Sequence, residues 1–203
     1  MNISRLAAIS CATIAFASLS SGVYAQTWTE TGDAGETLND YQITSGSGSI
    51  TTITGSIATD MDADVYRIHL DGGVFTATTV GNGTTLDTIL ALFTLDGDKL
   101  VDNDDASSGV HQSTITYTPL AAGDYLIGIS SYNNAPFSAD VFNPNFYDGQ
   151  GGQSSGDYKI TLGGASFSDN TTPLVPEPGT LATTAIICTG LGMGLLVGRR
   201  KNR

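Results

Sequence analysis

The residues in this sequence best equipped for chemistry are aspartates. Asp60, Asp62 and Asp64 are spaced two apart, Asp87 heads an apolar run, and Asp102, Asp104 and Asp105 crowd a short stretch that follows Asp96-Gly97-Asp98. Carboxylates packed this closely repel one another unless a proton or a cation intervenes. Outside the cytosol the abundant hard cation is Ca2+, which takes about six to eight oxygens from Asp, Asn, backbone carbonyls and water. Ca2+ is therefore the cofactor this pattern points to, with those seven aspartates as candidate ligands. An isolated Asp-Gly, by contrast, reads as a solvated turn capping local N–H groups.

Spacing also says where the first triplet must sit. On a strand, Asp60, Asp62 and Asp64 would share a face with Tyr66, Ile68 and Leu70, whose alternation with Val65, Arg67 and His69 marks a half-buried strand. Charges cannot continue into a core, so the triplet is expected at the strand's mouth, in the preceding loop. An EF-hand is excluded, because Val65 stands where that loop needs glycine and Asp71 where it needs a bidentate Glu.

A second chemistry is suggested by Tyr132, Phe137, Phe142, Phe146 and Tyr147, scattered among Asn, Gly and Pro. Flat rings beside amides are what carbohydrate binding uses. The plainer reading is that they pin a long connection to the body of the fold. Enzymatic chemistry finds little support. His69 and His111 have no Cys or second His nearby, which argues against zinc. There is no G-x-S-x-G elbow and no P-loop, and no pair of acids is singled out for glycoside hydrolysis. The expectation is a non-enzymatic protein.

The elements that must position these residues are strands. Ile50, Ile53 and Ile57 mark one, the Tyr66–Leu70 alternation a second, and the β-branched run from Val74 to Val80 a third. The stretch from Thr88 to Leu95 is nearly all apolar, as expected of a central strand covered on both faces. Ile115 with Tyr117, then Tyr125, Ile127 and Ile129, then Tyr158, Ile160 and Leu162 add three more, separated by Asp-Gly and Ala-Gly-Asp turns. Short strands at this density, without an amphipathic helix, predict an all-β sandwich over residues 50–170. Residues 26–49, rich in Gly and Ser and containing Gly46-Ser47-Gly48-Ser49, read as a flexible N-terminal segment.

The ends carry a different message. Residues 1–25 have a basic n-region at Arg5, an apolar run from Leu6 to Leu19, and the small-x-small pattern Val23-Tyr24-Ala25, the form of a secretory signal helix cleaved before Gln26. Residues 181–198 form an uncharged apolar run that as a helix spans about 27 Å, enough to cross a bilayer core. The basic tail 199–203 would stay cytoplasmic, placing the acidic body outside. Residues 26–175 hold three cations against nineteen acids, a charge of −16 that argues against nucleic acid or an anionic membrane as a partner of the body. An acidic surface of this kind could instead cross-bridge an anionic exopolysaccharide through Ca2+. Both cysteines, Cys11 and Cys188, fall in the end segments, so the domain folds without disulfides.

Two family resemblances follow. Pro176, Glu177 and Pro178, in a linker at 171–180 ahead of the apolar run and the closing arginines, resemble the PEP-CTERM sorting signal of Gram-negative bacteria. The resemblance implies transient anchoring in the inner membrane, recognition by an exosortase-type membrane protease, and delivery to the cell surface or the biofilm matrix. Asp62-x-Asp64-x-Tyr66, the run Leu86 to Phe93, Asp96-Gly97, Asn103-Asp104-Asp105, Leu120 to Ile127 and Gly156-Asp157-Tyr158-Lys159-Ile160 together resemble the bacterial pre-peptidase C-terminal (PPC) domain over residues 50–164. That implies a jelly-roll-like antiparallel sandwich, often an accessory module of secreted enzymes and sometimes Ca2+-binding. In this resemblance Asp62, Asp64 and Tyr66 match the metal-side motif, and Asp104 and Asp105 the acidic turn. The sequence departs from the pattern in carrying no catalytic domain beside the module and in its long connection at 131–155.

Overall fold

The computed structural model describes residues 26–119, 121–139 and 143–170. The expected leader, the Pro-Glu-Pro linker with Pro176, Glu177 and Pro178, the apolar run 181–198, the basic tail, Leu120 and Phe142 all lie outside the described residues. Within them there is no helix.

The chain begins with three short strands, β1 (Gln26–Thr29), β2 (Gln42–Ile43) and β3 (Ser45–Gly46). Longer strands follow where the apolar alternation begins: β4 (Ile50–Ile57), β5 (Ala63–Leu70), β6 (Phe75–Thr78) and β7 (Thr88–Thr94). Next come β8 (Lys99–Asn103), β9 (Thr114–Tyr117) and β10 (Gly123–Ser131), then β11 (Gly156–Gly163), β12 (Ala165–Phe167) and β13 (Asp169–Asn170). One sheet has the order β1-β4-β11-β6-β9 and the other β12-β5-β10-β7-β8, with β2 on the same side of β5 as β12. The result is the expected all-β sandwich. It is antiparallel through its centre, but β1 on β4, β2 on β5 and β13 on β3 pair in parallel.

The main core lies between the sheets. Ile53, Ile57, Phe75, Ile160 and Leu162 from one sheet meet Tyr66, Ile68, Leu90, Leu92, Ile127 and Ile129 from the other. A second apolar cluster covers the outer face of the second sheet, where Ala63, Val65, Ala91, Phe93 and Leu126 pack under Phe146 and Tyr147, flanked by Leu38 and Tyr41. This explains why β7 is apolar at nearly every position: its even and odd residues enter different cores.

One expectation is corrected here. Residues 26–49 are not a free arm. Their strands join both sheets, Ala34 is buried in the main core, and Gly46 lies where a Cβ would meet the Phe167 ring at 2.9 Å. That glycine permits close approach, not flexibility. The aromatics of the 131–155 connection are mostly structural: Phe146 and Tyr147 are buried, and the ring centroids of Phe93 and Phe146 are 4.6 Å apart. Phe137 is half-buried, and its N–H donates to the Phe146 carbonyl. Only Tyr132, among the described members of the set, is exposed.

Candidate metal centre

The aspartates of the first triplet part company at the start of β5. Asp60 is exposed on the preceding turn, and Asp62 is half-buried with its Oδ2 accepting the Ala58 N–H. Asp64, expected in the loop, lies on β5 itself, fully buried and pointing between the sheets. Its parity with Tyr66 is therefore real, and a carboxylate does enter the sandwich end. Two tyrosines make this possible. The Tyr158 hydroxyl from β11 donates to Asp64 Oδ2 at 2.6 Å, and the Tyr66 and Tyr158 hydroxyls are 2.5 Å apart. Gly55 on β4, the register partner of Tyr158, leaves the space they use, since any side chain there would strike the Tyr158 hydroxyl and the Glu30 carboxylate.

The other walls come from the N-terminal segment. Carboxylate oxygens of Glu30, Asp33 and Asp64, one from each, lie within 4.8 Å of one another. Glu30 is fixed by extension of the β1–β4 pairing, its N–H donating to the Thr54 carbonyl at 2.8 Å, while its Oε2 accepts from the Ser56 N–H at 2.8 Å. Asp33 is held in place by Ala34, which anchors in the core, and by Gly35, whose carbonyl accepts the Val65 N–H at 3.2 Å. A cleft of about 540 Å3 bordered by Glu30, Gly55, Ser56 and Tyr158 opens this corner to solvent.

The electrostatics are unbalanced. Burial pushes the Asp64 carboxyl up to about 8, with the charges of Glu30, Asp62 and Asp33 adding to the rise and the Tyr158 hydrogen bond opposing it. Burial also raises Glu30 and Asp62. Asp64 Oδ1 is buried with no hydrogen-bond partner. Among the described residues, no ion pair reaches Glu30, Asp33, Asp62 or Asp64. Two oxygens on opposite sides of a Ca2+ ion, each at about 2.4 Å, are about 4.8 Å apart, so the three carboxylates sit at a spacing one such ion can span.

The second acidic stretch divides as well. Asp102 is drawn off by Lys99, whose Nζ is 3.0 Å from its Oδ1. Asp87 before β7 and Asp105 after β8 converge on His111 in the loop before β9, with His111 Nδ1 3.4 Å from Asp87 Oδ2 and 3.4 Å from Asp105 Oδ1. Asp104 is beside them, and burial raises both Asp87 and Asp104, whose Oδ1 atoms are buried without partners. This second group is more open than the first, as both carboxyls remain partly exposed. Glu30, Asp33 and His111 were absent from the candidates read in the sequence. The available signal was the acid content of residues 26–49, high for an inert linker.

The fold and its buried carboxylates thus define an all-β sandwich module with an acidic corner. Residues 62–131 match the family model of the bacterial pre-peptidase C-terminal domain. No curated protein matches the chain. Among solved structures, the chain is similar to the pre-peptidase C-terminal domain of a collagenase from Bacillus anthracis, at 13% identity over 60% of this chain and 95% of that one, TM-score 0.39. It is also similar to PliG of Aeromonas hydrophila, a periplasmic inhibitor of g-type lysozyme, at 15% identity over 68% of this chain and 97% of that one, TM-score 0.36.

Proposed function

We propose that this chain is an exported, non-enzymatic β-sandwich module that binds Ca2+ through Glu30, Asp33, Asp62 and Asp64. The observation that carries this reading is the fully buried Asp64, with one oxygen unpartnered and two further carboxylates within reach. A divalent ion there supplies the counter-charge the corner lacks, and it ties the N-terminal segment to β5. Asp87, Asp104 and Asp105, with His111, form a second and weaker acidic site. Export is supported by the signal pattern of residues 1–25. The Pro176-Glu177-Pro178 motif, the apolar run and the basic tail support removal of the tail by an exosortase and retention at the cell surface or in the extracellular matrix.

The test is calorimetric titration of Ca2+ into metal-free full chain. Saturable binding in the wild type, lost in Asp64→Asn and kept in Asp102→Asn, is the expected outcome. Absence of any Ca2+-dependent heat or melting shift would reject the metal reading. Sorting is tested separately, by the mass of protein recovered outside the producing cells, which should lack residues beyond the Pro-Glu-Pro motif.

A further inference from the structure

Tyr132 is the exception among the aromatics of the long connection. The residue is 39% exposed while Phe146 and Tyr147 are buried, so it contributes little to either core. Yet its backbone is fixed: its N–H donates to the Asp87 carbonyl at 2.7 Å, and its own carbonyl accepts the Gln153 N–H at 3.0 Å. The next residue, Asn133, has φ +78°, the single non-glycine residue with positive φ among those described. Asn is one of the few non-glycine residues that take this left-handed conformation readily. Here the turn, tied down by the Asn133 side-chain amide on the Gly151 carbonyl at 3.1 Å, holds Tyr132 at the protein surface.

Tyr132 borders a groove of about 470 Å3 between β8 and the residues Tyr132 to Pro136 and Asp148 to Gln150. That is within the roughly 300–1,000 Å3 usual for small-ligand sites. Around it are hydrogen-bonding groups of both kinds. Among the described residues, neither the Gln150 side-chain amide nor the Tyr132 hydroxyl donates a hydrogen bond. The Lys99 ammonium uses two of its donors, on Asp102 Oδ1 and on the Pro136 carbonyl, each at 3.0 Å, and keeps one. Asp148 Oδ1 accepts the Ala135 and Gln150 N–H groups, leaving its second oxygen as an acceptor. An exposed aromatic residue flanked by spare donors and acceptors suits a sugar ring, which offers an apolar C–H face and hydroxyls that both give and take hydrogen bonds. Charge narrows the class. Asp102, Asp104 and Asp148 line the groove, and the one cation among its described lining residues, Lys99, is already paired. A uronate or sulfated chain would be repelled.

We propose that this groove is a binding site for neutral glycans, with Tyr132 as the stacking platform and Gln150, Lys99 and Asp148 as the hydroxyl partners. The proposal does not depend on the metal centre. It is tested by titrating the full chain, in chelator, with neutral hexasaccharides of β-linked glucose, xylose and mannose, and with an alginate hexamer as the anionic counterpart. Binding of at least one neutral chain and not of alginate is expected, weakened about tenfold or more in Tyr132→Ala and largely kept in Tyr132→Phe, with the melting temperature unchanged in both. No neutral binding at about 10 mM ligand, equal binding by Tyr132→Ala, or binding of alginate alone would overturn the proposal. Because every titration is run without Ca2+, failure of the metal reading leaves this result unaffected, and the reverse holds too.

Discussion

Asp64 and Asp124 lie at opposite ends of the same ladder, Asp64 on β5 opposite Ile129 and Asp124 on β10 opposite His69. Their surroundings are opposite in sign. Asp124 is on the outer face of the sheet, where Arg67 donates from Nε at 3.0 Å and from Nη2, and His69 Nδ1 lies at 2.8 Å. Partial burial alone would raise its carboxyl, but the bonds from Arg67 and His69 outweigh that and hold it below the ordinary carboxylate range. Asp64 meets a tyrosine hydroxyl and more carboxylates, and its carboxyl rises to about 8. Residues 26–175 contain only Arg67, Lys99 and Lys159 as cations. Arg67 serves Asp124 and Lys99 serves Asp102. Lys159 borders the cleft beside Glu30 but makes no ion pair among the described residues, so the acidic corner is left to a proton or to an ion from outside.

The largest consequence of this asymmetry is in pH dependence without metal. Asp64 has an ordinary carboxylate pKa when unfolded and one near 8 when folded. Between about pH 4 and 8 the folded state therefore holds a proton that the unfolded state has released, and stability falls as pH rises. The slope is at most about 1.4 kcal/mol per pH unit for one such group. Chemical unfolding in chelator at pH 5, 6, 7 and 8 should show this decline, and saturating Ca2+ should flatten it. A metal-free protein equally stable at all four values would mean that Asp64 does not carry the burden assigned to it.

A smaller effect should come from Asp64→Asn. At pH 7 in chelator the variant, which has no proton to take up on folding, should be at least as stable as the wild type. In Ca2+ at a hundredfold excess over its dissociation constant the wild type gains about 2.7 kcal/mol, and the variant should gain almost none of it. Paired thermal melts with and without Ca2+ read this as a crossing of the order of stability. If the variant gained as much as the wild type, the ion would have to bind elsewhere, and the Asp87–Asp105–His111 group would be the first place to look.

What could be read in the sequence, and what could not, follows the same division. Alternation over Tyr66–Leu70 and the continuous run at Thr88–Leu95 announced β5 and β7, because burial on one face or on two imposes those patterns. Short polar strands such as β1 and β2 left no such trace, and Gly46 reads as a joint until Phe167 is seen against it. Asp62 and Asp64 were legible through their spacing. Glu30 and Asp33 were not, because only the pairing of β1 with β4 and the burial of Ala34 bring them across more than thirty positions to β5. Asp102 was legible as an acid but not as a paired one, since Lys99, three residues before it, faces the same way despite the strand alternation. Tyr132 could not be told from its neighbours without knowing which rings the second core absorbs.

The least of the three effects is on the balanced side of the comparison. Asp124→Asn removes the charge from a partly exposed site that already has its cation in Arg67, so its cost should be about 1–2 kcal/mol, the loss of hydrogen bonds between the carboxylate and Arg67 and His69. Its pH signature is opposite to that of Asp64. A folded pKa held below the unfolded value gives stability that is present above about pH 4 and disappears as pH falls through the lower folded value. The wild type and Asp124→Asn should therefore differ at pH 7 and converge towards pH 2 to 3, with or without Ca2+. Denaturant melts at these two pH values decide it. A difference that persisted in acid, or that needed Ca2+, would mean that Asp124 acts through packing or through the acidic corner, and the two ends of the β5–β10 ladder would not be electrostatically independent.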